Sequence, residues 1–205
     1  LTKKIDQGDI IFNKDVFISK EHDTPYKINF LLQKESRELL KNFLIFYFIK
    51  KNKITHQKQN EFFSSYMPRL KTKVNGWIDW SLNVNELERF IGAFDNPYPG
   101  AKTMIHGKEV ALMDVQSSCM DSSKHSFENG IVIRKFLNMV VVSVSGGSLY
   151  IKKIMSKNRN IIDKIIPGDI FYTEISKLDS LKRKNIFVGK DKKIYSNQNK
   201  IKKIN

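Results

Sequence analysis

At 205 residues, with 40% hydrophobic and 11% aromatic side chains, the chain can fill one large core or two modest ones, which excludes global disorder. A single cysteine, Cys119, excludes an internal disulfide and fits a reducing cytoplasm, and the most apolar run, Phe43 to Ile49, is far too short to span a membrane. The formal net charge of +15 invites a polyanion, but nine basic residues and one Asp crowd into residues 182–205, and lysine, a point charge without arginine's bidentate fork, dominates throughout.

The chain opens on Leu1 with no basic-then-apolar leader pattern, so a soluble, cytoplasmic protein is expected. IDQGDII follows, with a turn at Gln7-Gly8 and a short buried strand expected at Ile10, Ile11 and Phe12. Asp23 or Thr24 is a natural N-cap, with Pro25 in the first turn of a helix running to about Lys50. Ile28, Leu31, Leu32, Leu39, Phe43 and Phe46 make its apolar face, and Ser36 marks an expected weak point. KKNKITHQKQ then reads as a polar, basic surface linker.

Residues 78–101, IDWSLNVNELERFIGAFDNPYPGA, hold the strongest local signal. Asn83 with Glu86 three residues on is a capping-box start. Leu87, Phe90, Ile91 and Phe94 then place one apolar stripe on a short helix, which Asp95-Asn96-Pro97 ends. Upstream, Trp77, Ile78 and Trp80 are expected to anchor a crossing in apolar surface, with ring stacking on a base as the alternative for either Trp. Beyond Pro99-Gly100 the pattern alternates. A hairpin is expected over Thr103 to Val115 with Gly107 at its turn, followed by a polar loop, Gln116 to Asn129, that holds Cys119 and His125. Strands are expected over Gly130 to Arg134 and Val140 to Val144, then a tight turn at Ser145-Gly146-Gly147-Ser148, then LYIKKI and a last strand at Ile170 to Tyr172. Many short strands with regular turns predict a small β-barrel or sandwich. Ile186 to Val188 and Ile194-Tyr195 are expected as an edge hairpin or as a disordered basic tail.

His22, His56, His106 and His125 show no metal-ligand spacing, and one cysteine cannot make a zinc knuckle, so no metal is expected. There is no G-x-S-x-G elbow, and Gly146-Gly147 lacks the GK[ST] of a phosphate loop.

IDWS, ERFIGAF and PYPGA, in that order, resemble the start of the carboxy-terminal domain of formyltransferases that use 10-formyltetrahydrofolate, and IDQGDII resembles the D-x-G-x-I segment late in their catalytic domain. The resemblance implies an α/β architecture: an incomplete Rossmann-like catalytic domain followed by an all-β OB-like barrel. It implies boundaries at 1–50 for the catalytic remainder, 51–77 for a linker, 78–178 for the OB-like domain and 179–205 for a basic tail. It gives Asp6 the place of the family's catalytic Asp, while the family's Asn and His would lie upstream of Leu1, so this chain alone is expected to be inactive. His22 follows the motif instead of preceding it and is not that His.

Formyl transfer to an amine passes through a tetrahedral species that needs an oxyanion donor and a proton acceptor, and Asp6 alone cannot supply both. The implied donor is 10-formyltetrahydrofolate. The implied acceptor is the amino group of initiator methionyl-tRNA or, as the rival reading, of a nucleotide-linked amino sugar. Arg69, Lys71 and Lys73, beside the crossing, are the candidates for substrate phosphate. A different class, a non-catalytic basic nucleic-acid-binding module, stays open for the chain as it stands.

Overall fold

The capping box forms as the sequence predicts. In the computed structural model, Asn83 accepts the Glu86 N–H at 3.0 Å and Glu86 accepts the Asn83 N–H at 3.1 Å. The model describes residues 8–19, 21, 24–51, 53–65, 67, 70–120, 125–183, 186–188 and 194–196. They divide into two units, one drawn from 1–22 and 27–67, the other from 23–26 and 68–205.

In the first unit, helix α1 (Pro25–Leu44) continues into a π-helical turn (Ile45–Ile49). Ser36 does not weaken it; the winding changes only where the β-branched and aromatic run IFYFI begins. Ile28, Leu31, Leu39, Phe43 and Phe46 are half-buried, whereas Leu32, on the same face, is exposed. No residue of α1 is fully buried. Ile10, Ile11 and Phe12 are not a buried strand: all three are exposed, and only Ile10 pairs, through one antiparallel bridge to Gln57. A strand needs a ladder on at least one side, and Gln57 is the one partner this segment finds among the described residues. Phe12 instead rests against Phe43 and Phe46, with ring centroids 6.0 and 6.3 Å away.

The second unit holds the core. Helix α2 (Thr72–Asn75) is a single turn. Helix α3 (Val84–Ala93) buries Val84, Leu87 and Ile91 against an antiparallel sheet. The sheet is made of β1 (Ala101–Ile105), β2 (Lys108–Ser118), β3 (Val132–Phe136), β4 (Met139–Val144), β5 (Gly147–Ser156) and the short β6 (Arg159–Asn160). Strand order is β1-β2-β5-β4-β3, with β6 on β5. The expected hairpin turn at Gly107 and the turn at Gly146-Gly147 join β1 to β2 and β4 to β5. Val140, Val142, Leu149, Ile151 and Leu112 alternate onto the core face as period-2 geometry requires.

The last expected strand exists only as a seam. Val132 and Phe171 donate backbone N–H groups to Asp169 and Gly130 at 2.8 Å each, while Met104 and Tyr172 exchange bonds at 2.8 and 3.0 Å. One short segment thereby serves both β3 and β1. Helix α4 (Ile175–Arg183) follows, and β7 (Ile186–Val188) pairs antiparallel with β8 (Ile194–Ser196) in a two-stranded sheet of their own, not at an edge of the main sheet. Among the described residues no helix is long and apolar enough to cross a membrane.

The cap has a measurable consequence. Asn83→Ala removes the acceptor for the Glu86 N–H and is expected to cost about 1 kcal/mol in urea unfolding. Asn83→Asp, which keeps the acceptor, is expected to stay within about 0.5 kcal/mol; a cost as large as alanine's would refute the cap's role.

Candidate functional site

The residues nominated for substrate phosphate sit where the chain enters the second unit. Asp6 and Arg69 fall outside the described residues, as does His22. Lys71 and Lys73 are described, and both are exposed. Lys71 is the N-cap of α2, held by its backbone: its N–H donates to Asn75 Oδ1 at 2.9 Å and its carbonyl accepts from Asn75 at 2.7 Å. That leaves its ammonium, like that of Lys73, at the surface.

Trp77 follows, and its neighbours are basic too. It is 5% exposed, with Lys102 Nζ and Lys177 Nζ lying 5.0 and 5.2 Å from the ring centroid. Two ammonium groups against one indole is a cation–π arrangement, with the lysine stems completing the cover. Trp80 is 8% exposed, stacks on Phe171 with centroids 5.9 Å apart, and donates its indole N–H to Thr103 Oγ1 at 2.9 Å. Neither ring offers a free face to a base. Both tryptophans anchor the crossing, and the ring-stacking alternative fails on burial.

The PYPGA block is also architectural. Asp95, read from sequence only as a helix terminator, is buried at 6% exposure, and its carboxylate accepts the N–H groups of Asn96 at 2.5 Å and Asp114 at 2.7 Å. Asp114 has a φ of 53°, so this bond ties the loop after α3 to an irregular point in β2. Gly100, at φ 96°, lies where an added Cβ would meet Met113 at 2.8 Å. Glu88 on α3 accepts from the Ser117 backbone at 3.1 Å and from its hydroxyl, a second tie to β2. The only sequence signal for these ties was an acid directly before an X-Pro pair and another on the polar side of α3.

The remaining histidines are accounted for by neighbours. His56 contacts Asp9 at 3.1 Å, His125 lies against Phe127 with its ring tilted by 36°, and His106 Nε2 meets Asp169 Oδ1 at 2.7 Å. No cluster of three metal-ligating side chains occurs among the described residues. Burial pushes the Asp169 carboxyl up, but the Ile166 N–H, His106 and the charge of Lys135 outweigh it and hold the pKa below the ordinary 3.8. A folded-state pKa below the unfolded value stabilises the protein above the unfolded pKa and loses that contribution as pH falls through the folded one. Unfolding free energy is therefore expected to fall below about pH 4. Asp169→Asn should flatten that acid limb; an unchanged limb in the variant would remove Asp169 as its source.

The charge is unevenly spread. Residues 70–181 hold fourteen Lys or Arg against twelve Asp or Glu, so the sheet-bearing unit ahead of the tail is close to balanced.

Residues 71–164 match the family described as formyl transferase, C-terminal domain. The bifunctional polymyxin resistance protein ArnA of Wigglesworthia glossinidia brevipalpis is 29% identical over 98% of this chain and 28% of its own length. Methionyl-tRNA formyltransferase of Natranaerobius thermophilus is 28% identical over 82% of the chain and 51% of its own length. Among solved structures, HypX from Aquifex aeolicus in complex with tetrahydrofolic acid superposes at a TM-score of 0.51 and 17% identity, covering 76% of this chain and 26% of HypX, which speaks to fold alone. The chain spans about half the length of the methionyl-tRNA formyltransferase and just over a quarter of ArnA. The residues that carried the resemblance, α3 and the turn after it, lie inside residues 71–164, the stretch that is similar to the formyl transferase C-terminal domain.

Proposed function

We propose that the chain is part of an N-formyltransferase that moves a formyl group from 10-formyltetrahydrofolate to a primary amine, most simply that of initiator methionyl-tRNA. The supporting observation is the match of residues 71–164 to the formyl transferase C-terminal domain, a stretch that includes the α3-to-β1 junction with its capping box and buried Asp95. The methionyl-tRNA formyltransferase of Natranaerobius thermophilus aligns with more than four-fifths of this chain. In this reading the sheet, with both edges engaged by residues 168–172, is the OB-like domain, and the first unit is the end of a Rossmann-like domain in which Asp6 is catalytic. Lys71, Lys73 and Arg69 would meet phosphate at the entrance to the second unit.

The groove on α1 is not a seat for the folate. The groove on α1 is walled by Leu40, Leu44, Ile45, Phe48 and Ile49, with Arg37 and Lys41 beside them, and offers no carboxylate or amide to read a pterin ring. No step through the donor is assigned to these residues.

One observation favours a nucleotide-linked amino sugar instead. A tRNA backbone is recognised chiefly through many phosphate contacts, and the near balance of charge across residues 70–181 suits a ligand with only two phosphates better. Titration of the purified chain with initiator tRNA and with a UDP-linked amino sugar, at about 50 and about 200 mM salt, separates the two. The tRNA reading expects binding that weakens by about tenfold or more across that range. Sugar-nucleotide binding with little salt dependence, and no tRNA binding, would replace it with the second reading.

A further inference from the structure

The chain enters and leaves the main sheet along the same edge of β1. One side of β1 pairs with β2. On the other side the Ile78 N–H donates to the Lys102 carbonyl at 2.9 Å and the Lys102 N–H donates to Gly76 at 2.6 Å. Two residues further along that edge, Met104 exchanges its bonds with Tyr172. Residues 76–78 are thus the way in and residues 168–172 the way out, and α4 begins directly beyond the exit. The fold brings α4 back over the entrance, where it packs against α2 and sets Lys177 on Trp77.

The two lysines on that indole are not equivalent. Lys102 is fixed at both ends, its backbone in β1 and its ammonium paired with Glu109 of β2. Lys177 belongs to a helix of nine residues, shorter than the roughly 12–15 residues that an isolated helix needs in water. Its seat is shallow. Between residues 175 and 181 no residue is fully buried, Leu178 and Leu181 are half-buried, and Ile175 is 78% exposed. An element with so few buried contacts opens locally well before the sheet beneath it unfolds. Opening α4 lifts Lys177 from Trp77, the residue that stands between the two backbone bonds fastening the entrance. We propose that α4 is a latch on the entrance to the second unit. With Lys177 seated on Trp77, segment 76–78 is held to β1; with α4 unseated, that segment is released. Ammonium–indole attraction and the lysine stem supply the catch. The coupling is reciprocal, so loosening the entrance unseats α4 to the same degree. The latch is internal to the second unit and does not depend on which amine is formylated.

The test follows amide hydrogen exchange in the full chain, comparing the entrance, α4 and the central strands β4 and β5. Lys177→Ala is expected to speed exchange about tenfold at Ile78, at Lys102 and through α4, with β4 and β5 unchanged. Lys177→Arg, whose guanidinium also stacks on aromatic faces, should restore native rates. Trp77→Leu should in turn speed exchange through α4 by a similar factor. Acceleration confined to α4 in Lys177→Ala would overturn the latch, because the entrance would not sense the helix. Equal acceleration in β4 and β5 would overturn it as well, since the effect would then be general destabilisation. Unchanged α4 exchange in Trp77→Leu would break the reciprocity and sink the proposal.

Discussion

Trp80→Ala is expected to destabilise the second unit by about 3–5 kcal/mol, the usual range for deleting a buried aromatic. The indole contributes three things at once. It stacks on Phe171, it fills the space beside α3 and β1, and its N–H satisfies Thr103 Oγ1, which itself donates to the Tyr172 carbonyl at 2.9 Å. Truncation leaves a cavity and removes one side of that chain of hydrogen bonds, and surrounding side chains collapse only partly into such space. Trp80→Phe separates the contributions. It keeps the stack and most of the burial, loses only the donor, and is expected to cost about 1 kcal/mol. Urea unfolding followed by far-UV circular dichroism reads both variants, with Trp77 as an independent fluorescent probe. An alanine variant within about 1 kcal/mol of the native protein would mean that Trp80 does not hold the core.

Gly130→Ala is the second large effect, and its origin is backbone contact. Gly130 has a φ of 90°, and a Cβ built there would lie 2.1 Å from the Phe171 carbonyl oxygen. The same glycine donates to Ser143 and accepts from Phe171, both at 2.8 Å. It therefore sits between two strand segments and cannot move away from one without loosening the other. The left-handed conformation alone costs an L-residue about 1–2 kcal/mol. Forcing the segments apart adds about 1–3 kcal/mol more. Gly107→Ala supplies the comparison, because Gly107 has a φ of 71° with nothing within 4 Å of its added Cβ. Gly107→Ala should show the conformational cost only. Equal losses in the two variants would rule out the contact with Phe171 as the cause.

The sequence announced those parts of the molecule whose physics is local. The capping box, the stripe on α3 and the glycine-marked turns are set by residues three or four apart, and they stand where the spacing put them. What could not be read was what each face meets. The apolar triplet Ile10-Ile11-Phe12 has strand-like composition, but a strand needs a partner ladder, and composition does not supply one. The α1 stripe was legible for Ile28, Leu31, Leu39, Phe43 and Phe46, whereas the second row through Leu40 and Phe48 was not, because a pattern search for one face passes over the opposite one. At the nominated site, exposure of Lys71 and Lys73 follows from their polar context, but the placing of Lys102 and Lys177 on Trp77 joins residues 25 and 100 positions away in the chain. Asp95 belongs with these. A carboxylate after a helix reads as a stop signal, and only the return of β2 at Asp114 turns it into a buried tie.

The hydrogen bonds of residues 168–172 also set where this polypeptide can be cut. The family match ends at residue 164, four residues before the first of them. A piece trimmed to that boundary would keep every strand of the sheet and still expose the backbone donors and acceptors of Gly130, Val132 and Met104 along its two outer strands. Unpaired strand edges recruit other chains. Such a piece is expected to aggregate where one extended past Tyr172 stays monomeric, so the unit of homology here is smaller than the unit of solubility.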